Sequence, residues 1–236
     1  MKNFRHLKVG LLTWKALIYR IISMTVFSLL FGYKFALCAG LLSLVIYYIY
    51  DCVFHKIFRI SSDKGFVLWF TGLPCSGKST IADEVAIELK KKGIKVERLD
   101  GDIVRNGKLS NDLGFSKEDR DKNINRITFV SKVLSRNEVA VLSSFVSPYE
   151  KTRQNIRENV TNFVEIYVNA SVGECVKRDV KGMWKLAKEG KIKGFTGYDD
   201  PYEIPQHPEL ICDTVKETLK ESTNKVLSYL ESKRLI

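Results

Sequence analysis

The chain has 236 residues, enough for one globular domain with its own core plus an attachment, and carries a formal net charge of +11. The charge is uneven: residues 1–64 hold nine Lys/Arg against two Asp/Glu, a net +7, and residues 65–236 hold twenty-nine against twenty-five, a net +4. The globular part therefore lacks the dense basic stripe of a nucleic-acid binder, and five scattered cysteines without C-x-x-C or Cys/His spacing speak against a metal site and for reduced thiols in a cytosolic setting.

The N-terminal stretch reads as a membrane hairpin over residues 1–60, with spans at about 14–31 and 35–54. The second span is 20 residues long and crosses a bilayer core; the first is shorter and interrupted by Lys15 and Arg20. Tyr47, Tyr48 and Tyr50 cluster near one end, as interfacial aromatics do. Lys2, Arg5, Lys8, Lys15 and Arg20 precede the pair, Lys56, Arg59 and Lys64 follow it, and only Lys34 lies in the Gly32-Tyr33-Lys34 turn. The positive-inside rule then places both ends in the cytoplasm. The expected localisation is a two-span membrane protein with its following domain cytoplasmic. A cleaved signal peptide fits poorly, because the apolar region is too long and a second span follows. Lys15-Ala16-Leu17-Ile18-Tyr19-Arg20-Ile21 and Tyr47-Tyr48 resemble a bacterial membrane-hairpin domain of unknown function.

Residues 55–65 read as a polar linker, and Phe66–Thr71 as a β-strand. Gly72-Leu73-Pro74-Cys75-Ser76-Gly77-Lys78-Ser79-Thr80 is a complete phosphate-binding loop, G-x-x-x-x-G-K-[ST]. Ile81, Ala82, Val85, Ala86 and Leu89 follow at helical spacing up to Gly93. Strand, glycine loop and helix in that order give the motif its physical meaning. Loop N–H groups and the helix N-terminus cradle phosphates, Lys78 reaches the β- and γ-phosphates of ATP, and Ser79 ligates Mg²⁺.

Alternation continues down the chain. Lys95–Leu99 is a predicted strand, Ile127–Arg136 a helix with Ile127, Val130, Val133 and Leu134 inward, and Val139–Phe145 a buried strand. Val164–Val168 is another strand, Val172–Asp179 a helix, Leu210–Asp213 a short last strand and Val215–Leu230 a closing helix. The fold class is α/β: a P-loop nucleotide kinase over residues 64–236, its parallel sheet flanked by helices. No repeat or low-complexity segment is visible.

Three further segments carry the chemistry. Asp100 and Asp102 end a strand expected to lie next to the P-loop strand, where a carboxylate orients an acceptor hydroxyl or holds Mg²⁺. Asp112-Leu113-Gly114-Phe115-Ser116 leads into Arg120 and Asn123, and Phe145-Val146-Ser147-Pro148-Tyr149 into Arg153. Together with Arg178-Asp179-Val180-Lys181-Gly182, Ile192–Gly197 and Asp200-Pro201-Tyr202-Glu203, these resemble adenylylsulfate (APS) kinase over about residues 64–230.

The resemblance implies transfer of the ATP γ-phosphate to the 3′-hydroxyl of adenosine 5′-phosphosulfate, with ATP and Mg²⁺ as cofactors. It implies that Asp102 is the base or orienting group beside Asp100, and that Arg105, Arg120 and Asn123 hold the phosphosulfate and sugar. Phe115 and Phe195 match the pair that sandwiches the substrate adenine, Val146 and Lys181 line the acceptor side, and Arg178 serves ATP. Ser147 matches a serine held to form a phosphoserine in some relatives, although direct in-line transfer needs none. Lys181 and Lys193 lie in a lid-like segment. The chain departs from the family pattern at Lys108, Ser110, Val180 and Pro74-Cys75. The implied partners are the small-molecule substrate and the membrane; a homodimer and a link to ATP sulfurylase or a sulfotransferase are compatible with it. Two alternatives stay open: a kinase of the same fold acting on a cytidine diphosphate derivative, and a non-catalytic nucleotide-binding sensor.

Overall fold

The computed structural model describes residues 65–106, 109–114 and 116–236; the side chains of Asp102, Arg105 and Asn106 are outside the description. The hairpin expected over 1–60 and the ring of Phe115 lie outside the described residues. Among the described residues, no helix is long and apolar enough to cross a membrane.

Five strands form one parallel sheet: β1 (Val67–Thr71), β2 (Val96–Asp100), β3 (Ala140–Ser144), β4 (Phe163–Asn169) and β5 (Leu210–Asp213). The helices between and after them are α1 (Lys78–Lys91), α2 (Gly101–Asn106), α3 (Lys117–Ser135), α4 (Glu150–Asn159), α5 (Val172–Lys177), α6 (Met183–Lys188) and α7 (Leu219–Ser232). β1 and β3 are buried at every position, the signature of parallel strands covered on both faces.

The sheet's alternation sorts the core into two layers. Leu68 and Phe70 face α1 and α7, packing with Ile81, Val85, Leu89, Val226 and Leu230. Val67 and Trp69 face the opposite side, with Ile124 and Ile127 of α3 and Ile156 of α4.

The strand order is β2-β3-β1-β4-β5. The expectation that the strand ending in Asp100 lies beside the P-loop strand is therefore corrected. β3 sits between them, with Val67 opposite Val141 and Asp100 opposite Ser144. The first crossover skips a position, which β3 later fills. The chain thus reverses direction across the sheet at β1, and a ligand crevice opens at the carboxyl ends beside such a reversal.

The predicted apolar runs became strands within one or two residues of their expected bounds. The helices differ more. α3 begins ten residues before the expected Ile127, because Ser116 caps it by accepting from the Asp119 amide at 3.1 Å. Val133, expected inward, is 42 % exposed: six residues after Ile127 it stands 240° around the helix, whereas Ser131 and Leu134 stay on the inner side. α7 starts at Leu219 rather than Val215, where Thr218 and Glu221 form a capping box.

Candidate active site

The loop Gly72–Thr80 joins β1 to α1 at the sheet's reversal point. Gly72 takes φ +154°, and a Cβ there would stand 2.4 Å from the Val168 carbonyl oxygen, so the loop turns against β4 only with glycine. Lys78, Ser79 and Thr80 form the first turn of α1 rather than preceding it. The loop is braced from behind. Thr214, directly after β5, donates its hydroxyl to the Ser76 carbonyl at 2.9 Å, and Arg178 donates to the Thr214 hydroxyl and carbonyl, each at 2.9 Å. Arg178 thus lines the cavity behind the loop and holds the loop's shape.

Lys78 is 8 % exposed, and its ammonium donates to the carbonyls of Gly72 at 3.1 Å and Leu73 at 2.7 Å. Burial pushes its pKa down to about 8, against the upward pull of nearby Cys175, Asp100 and Cys75. Ser79 donates its hydroxyl to Asp100 Oδ2 at 2.5 Å. Asp100 remains within reach although β2 is not adjacent to β1, because α1 packs against β2 as well as β3. Arg98 stands 3.8 Å from the same carboxylate and is itself held by Asp83, the Leu142 carbonyl and Ser144.

A cavity of about 1310 Å³ runs from the loop to the ends of β2 and β3, large enough for two nucleotide-sized ligands. The structure brings the loop, Asp100, Arg120, Asn123, Val146, Ser147, Arg178, Lys181 and Phe195 around this one space. Asn123 is 5 % exposed and its Oδ1 has no partner among the described residues, which leaves a buried acceptor at the cavity wall. Arg120 donates to the Thr196 hydroxyl, the Gly194 carbonyl and, at 3.0 Å, Asp200 Oδ2. It therefore ties α3 to the 194–200 segment as well as facing the cavity. Asp102 and Arg105 are on α2, immediately after β2.

Phe195 is 7 % exposed and sets its ring edge-on to Trp184 at 4.9 Å. Trp184 in turn donates to the Pro74 carbonyl at 3.3 Å, and a Cβ on Gly197 would stand 2.7 Å from Leu73. The segment carrying α6 and Phe195 thus rests directly on the phosphate loop. Phe195→Ala should raise the acceptor KM about tenfold or more, from roughly 1–3 kcal/mol of lost base stacking. Steady-state kinetics with a melting curve test this; an unchanged acceptor KM with a lower Tm would leave Phe195 a packing residue.

Ser147 is 2 % exposed and takes φ +40°. Its hydroxyl accepts from Trp69 Nε1 at 2.9 Å and donates to Thr71 Oγ1 at 3.1 Å. The Thr71 hydroxyl donates to the Val146 carbonyl at 2.7 Å and meets the Tyr202 hydroxyl at 2.9 Å. The Ser147 hydroxyl is turned into this network, with its proton engaged. Ser147→Ala should keep activity within about tenfold, at about 1–3 kcal/mol of stability for the abandoned indole N–H. Loss of turnover in a folded variant, with a phosphoserine trapped in the wild-type protein, would overturn that assignment.

Thr214, Arg98, Asp200 and Trp184 were not singled out as site residues in the sequence. Thr214 had a usable signal in its place at the carboxyl end of a predicted strand, and Asp200 in its place within the Asp200–Glu203 motif.

A parallel five-stranded sheet, a P-loop at its reversal point, and a buried lysine with a Ser–Asp pair at the phosphate end define a P-loop kinase. The adenylylsulphate kinase family model matches residues 64–213. The chain is 56 % identical over 163 residues to a probable adenylyl-sulfate kinase of Pseudomonas aeruginosa, covering 69 % of this chain and 76 % of that one. It is 54 % identical over 175 residues to the adenylyl-sulfate kinase of Halothermothrix orenii, covering 74 % and 94 %. Among solved structures it resembles the Mycobacterium tuberculosis APS kinase in complex with AMPPNP and APS, with a TM-score of 0.68 and 36 % identity over 71 % of this chain and 98 % of that one. The hexameric APS kinase of Thiobacillus denitrificans matches with a TM-score of 0.58 and 34 % identity, covering 77 % and 32 %. The chain belongs to the adenylylsulfate kinase family.

Proposed function

We propose that the chain phosphorylates adenosine 5′-phosphosulfate at its 3′-hydroxyl with ATP, giving 3′-phosphoadenosine 5′-phosphosulfate and ADP. The observation that carries this reading is the single cavity with two chemically different ends. One part of its lining is the phosphate loop, Lys78 and the Ser79–Asp100 pair; another is Arg120 and the Asn123 oxygen that has no partner among the described residues, with Phe195 packed between the loop and the cavity. A donor nucleotide held at the first end points its γ-phosphate at an acceptor held at the second.

In the transfer, the acceptor oxygen bonds to the γ-phosphorus as the bond to the β–γ bridging oxygen breaks, and ADP carries that oxygen away. The hydroxyl proton passes to a carboxylate, for which Asp102 is the candidate. Lys78 neutralises charge on the transferring group, and the segment carrying Phe195 and Lys181 excludes water. The Ser79 hydroxyl and the Asp100 carboxylate are hard oxygen donors 2.5 Å apart at the phosphate end, a pair that suits Mg²⁺. Bound there with the ATP phosphates, Mg²⁺ supplies further charge neutralisation.

The test is a coupled kinase assay on residues 64–236 with adenylylsulfate and a cytidine diphosphate derivative as rival acceptors. Turnover with adenylylsulfate is expected. Preference for the cytidine compound, or ATP binding without turnover, would overturn the reading.

We also propose that residues 1–60 form the membrane hairpin, with the kinase domain cytoplasmic, on the strength of their two apolar stretches and flanking basic residues. Carbonate extraction of the full chain tests this, and recovery in the soluble fraction would sink it. Homodimerisation, and a functional link to ATP sulfurylase or a sulfotransferase, extend the same family-based reading.

A further inference from the structure

Arg153 is 1 % exposed, and a buried guanidinium is costly to the fold unless its donors are all used. It sits in the first turn of α4 and reaches three separate parts of the chain. Nη1 donates to the Ser147 carbonyl at 2.7 Å, and Nη2 donates to the Glu203 carbonyl at 2.6 Å and to Glu150. Nε stands 2.9 Å from Glu165 Oε1 on β4, an ion pair without the alignment of a hydrogen bond.

Two of these partners are main-chain carbonyls outside any strand ladder; the first lies in the turn that lines the cavity, and the second belongs to a segment that reaches the cavity through Asp200, which holds Arg120 of its lining. Ser147 carries the positive φ that turns the chain after β3, where Phe145–Pro148 line the cavity. Glu203 lies three residues after Asp200, which accepts from Arg120 at 3.0 Å and from the Tyr149 hydroxyl at 3.1 Å. The two segments also join directly, the Glu203 amide donating to the Pro148 carbonyl at 2.9 Å.

We propose that Arg153 is a positioning residue for the transfer: its fork clamps the 145–148 turn to the 200–203 segment and so fixes the acceptor's binding surface. It acts through Ser147 and Asp200, without touching substrate. The donor end takes no bond from it, since the phosphate loop is braced by Thr214 and Arg178. The inference rests on the proposed kinase reading, which the wild-type assay with adenylylsulfate tests separately.

The experiment measures both substrates' constants for Arg153→Lys and for Arg153→Met combined with Glu165→Gln. Lysine keeps the charge but offers one nitrogen in place of the three of a planar fork, so it cannot reach the Ser147 carbonyl, the Glu203 carbonyl and Glu165 together. The double variant removes both buried charges, so a merely structural ion pair would leave a stable, fully active enzyme. Binding of a non-hydrolysable ATP analogue identifies the folded variants. In these the acceptor KM should rise about fivefold or more and kcat should fall, while the ATP KM stays within about twofold. A smaller rise in acceptor KM overturns the proposal, as does a parallel rise for ATP. Failure of both variants to fold also overturns it, since Arg153 would then serve stability alone. A wild-type enzyme inactive on adenylylsulfate would instead refute the functional reading.

Discussion

Lys78→Ala should lower kcat/KM by about 10³-fold or more, with the protein still folded. The side chain is buried at the mouth of the phosphate loop and its ammonium is held by two loop carbonyls. In the proposed reading those contacts keep it beside the transferring phosphoryl group, where its charge counts most in the transition state. A variant retaining a tenth or more of wild-type kcat/KM would show that Lys78 lacks this role.

The same residue sets a pH signature. Burial lowers its pKa in the free protein to about 8, and bound phosphates raise it again. kcat/KM for ATP should therefore fall above about pH 8, while kcat, which reports the occupied enzyme, should hold to higher pH. The folded pKa lies below the ordinary 10.5, so between about pH 8 and 10.5 the unfolded chain binds more protons at this position. The Lys78 contribution to stability thus rises with pH across that window, and the Tm difference between wild type and Lys78→Ala should rise with it. A pH-independent difference would place the ammonium in water rather than in the loop.

The parts of the fold that were legible in the sequence are those where one local signal decides the structure. The run Phe66–Thr71 is apolar because β1 is covered on both faces, and the G-x-x-x-x-G-K-S spacing allows one loop geometry. Long-range pairing was not legible. Nothing in the run Lys95–Leu99 says whether its strand pairs with β1 or stands one position away, since that depends on where β3 later inserts. Val133 was misplaced because a four-residue pattern was read without its helical angle, and the start of α3 was missed because its cap, Ser116, follows a polar turn. At the site, the sequence names many of the residues that line the cavity, but their mutual bonds were not legible in it. Ser147 carries a hydroxyl in a family motif, yet only the fold turns that hydroxyl toward Trp69. Arg120 is expected on the substrate, and the fold shows it holding Asp200, a partner 80 residues away.

Asp100, which ends β2, and Asp102, in the helix that follows, should separate by experiment. Asp100 meets Ser79 at 2.5 Å, at the phosphate end of the cavity, so Asp100→Asn should weaken the metal-dependent step. The expected result is a fall in kcat/KM of about 10²-fold or more, partly recovered at high Mg²⁺, because the amide keeps a hard oxygen but loses the charge. Asp102 is two residues on, within α2 at the carboxyl end of β2, where the acceptor is bound in the proposed reading. If it takes the acceptor's proton, Asp102→Asn should cut kcat by about 10²-fold or more, the range of a lost general base, with ATP affinity within about threefold of wild type and no recovery at high Mg²⁺. The contrast lies in the Mg²⁺ titration, which separates a residue on the metal side from one on the acceptor side even when both variants are slow. Normal turnover with weakened ATP binding in Asp102→Asn would move Asp102 to the metal side. The proton would then leave through Asp100 or directly to solvent, as a loose, largely dissociative transition state permits.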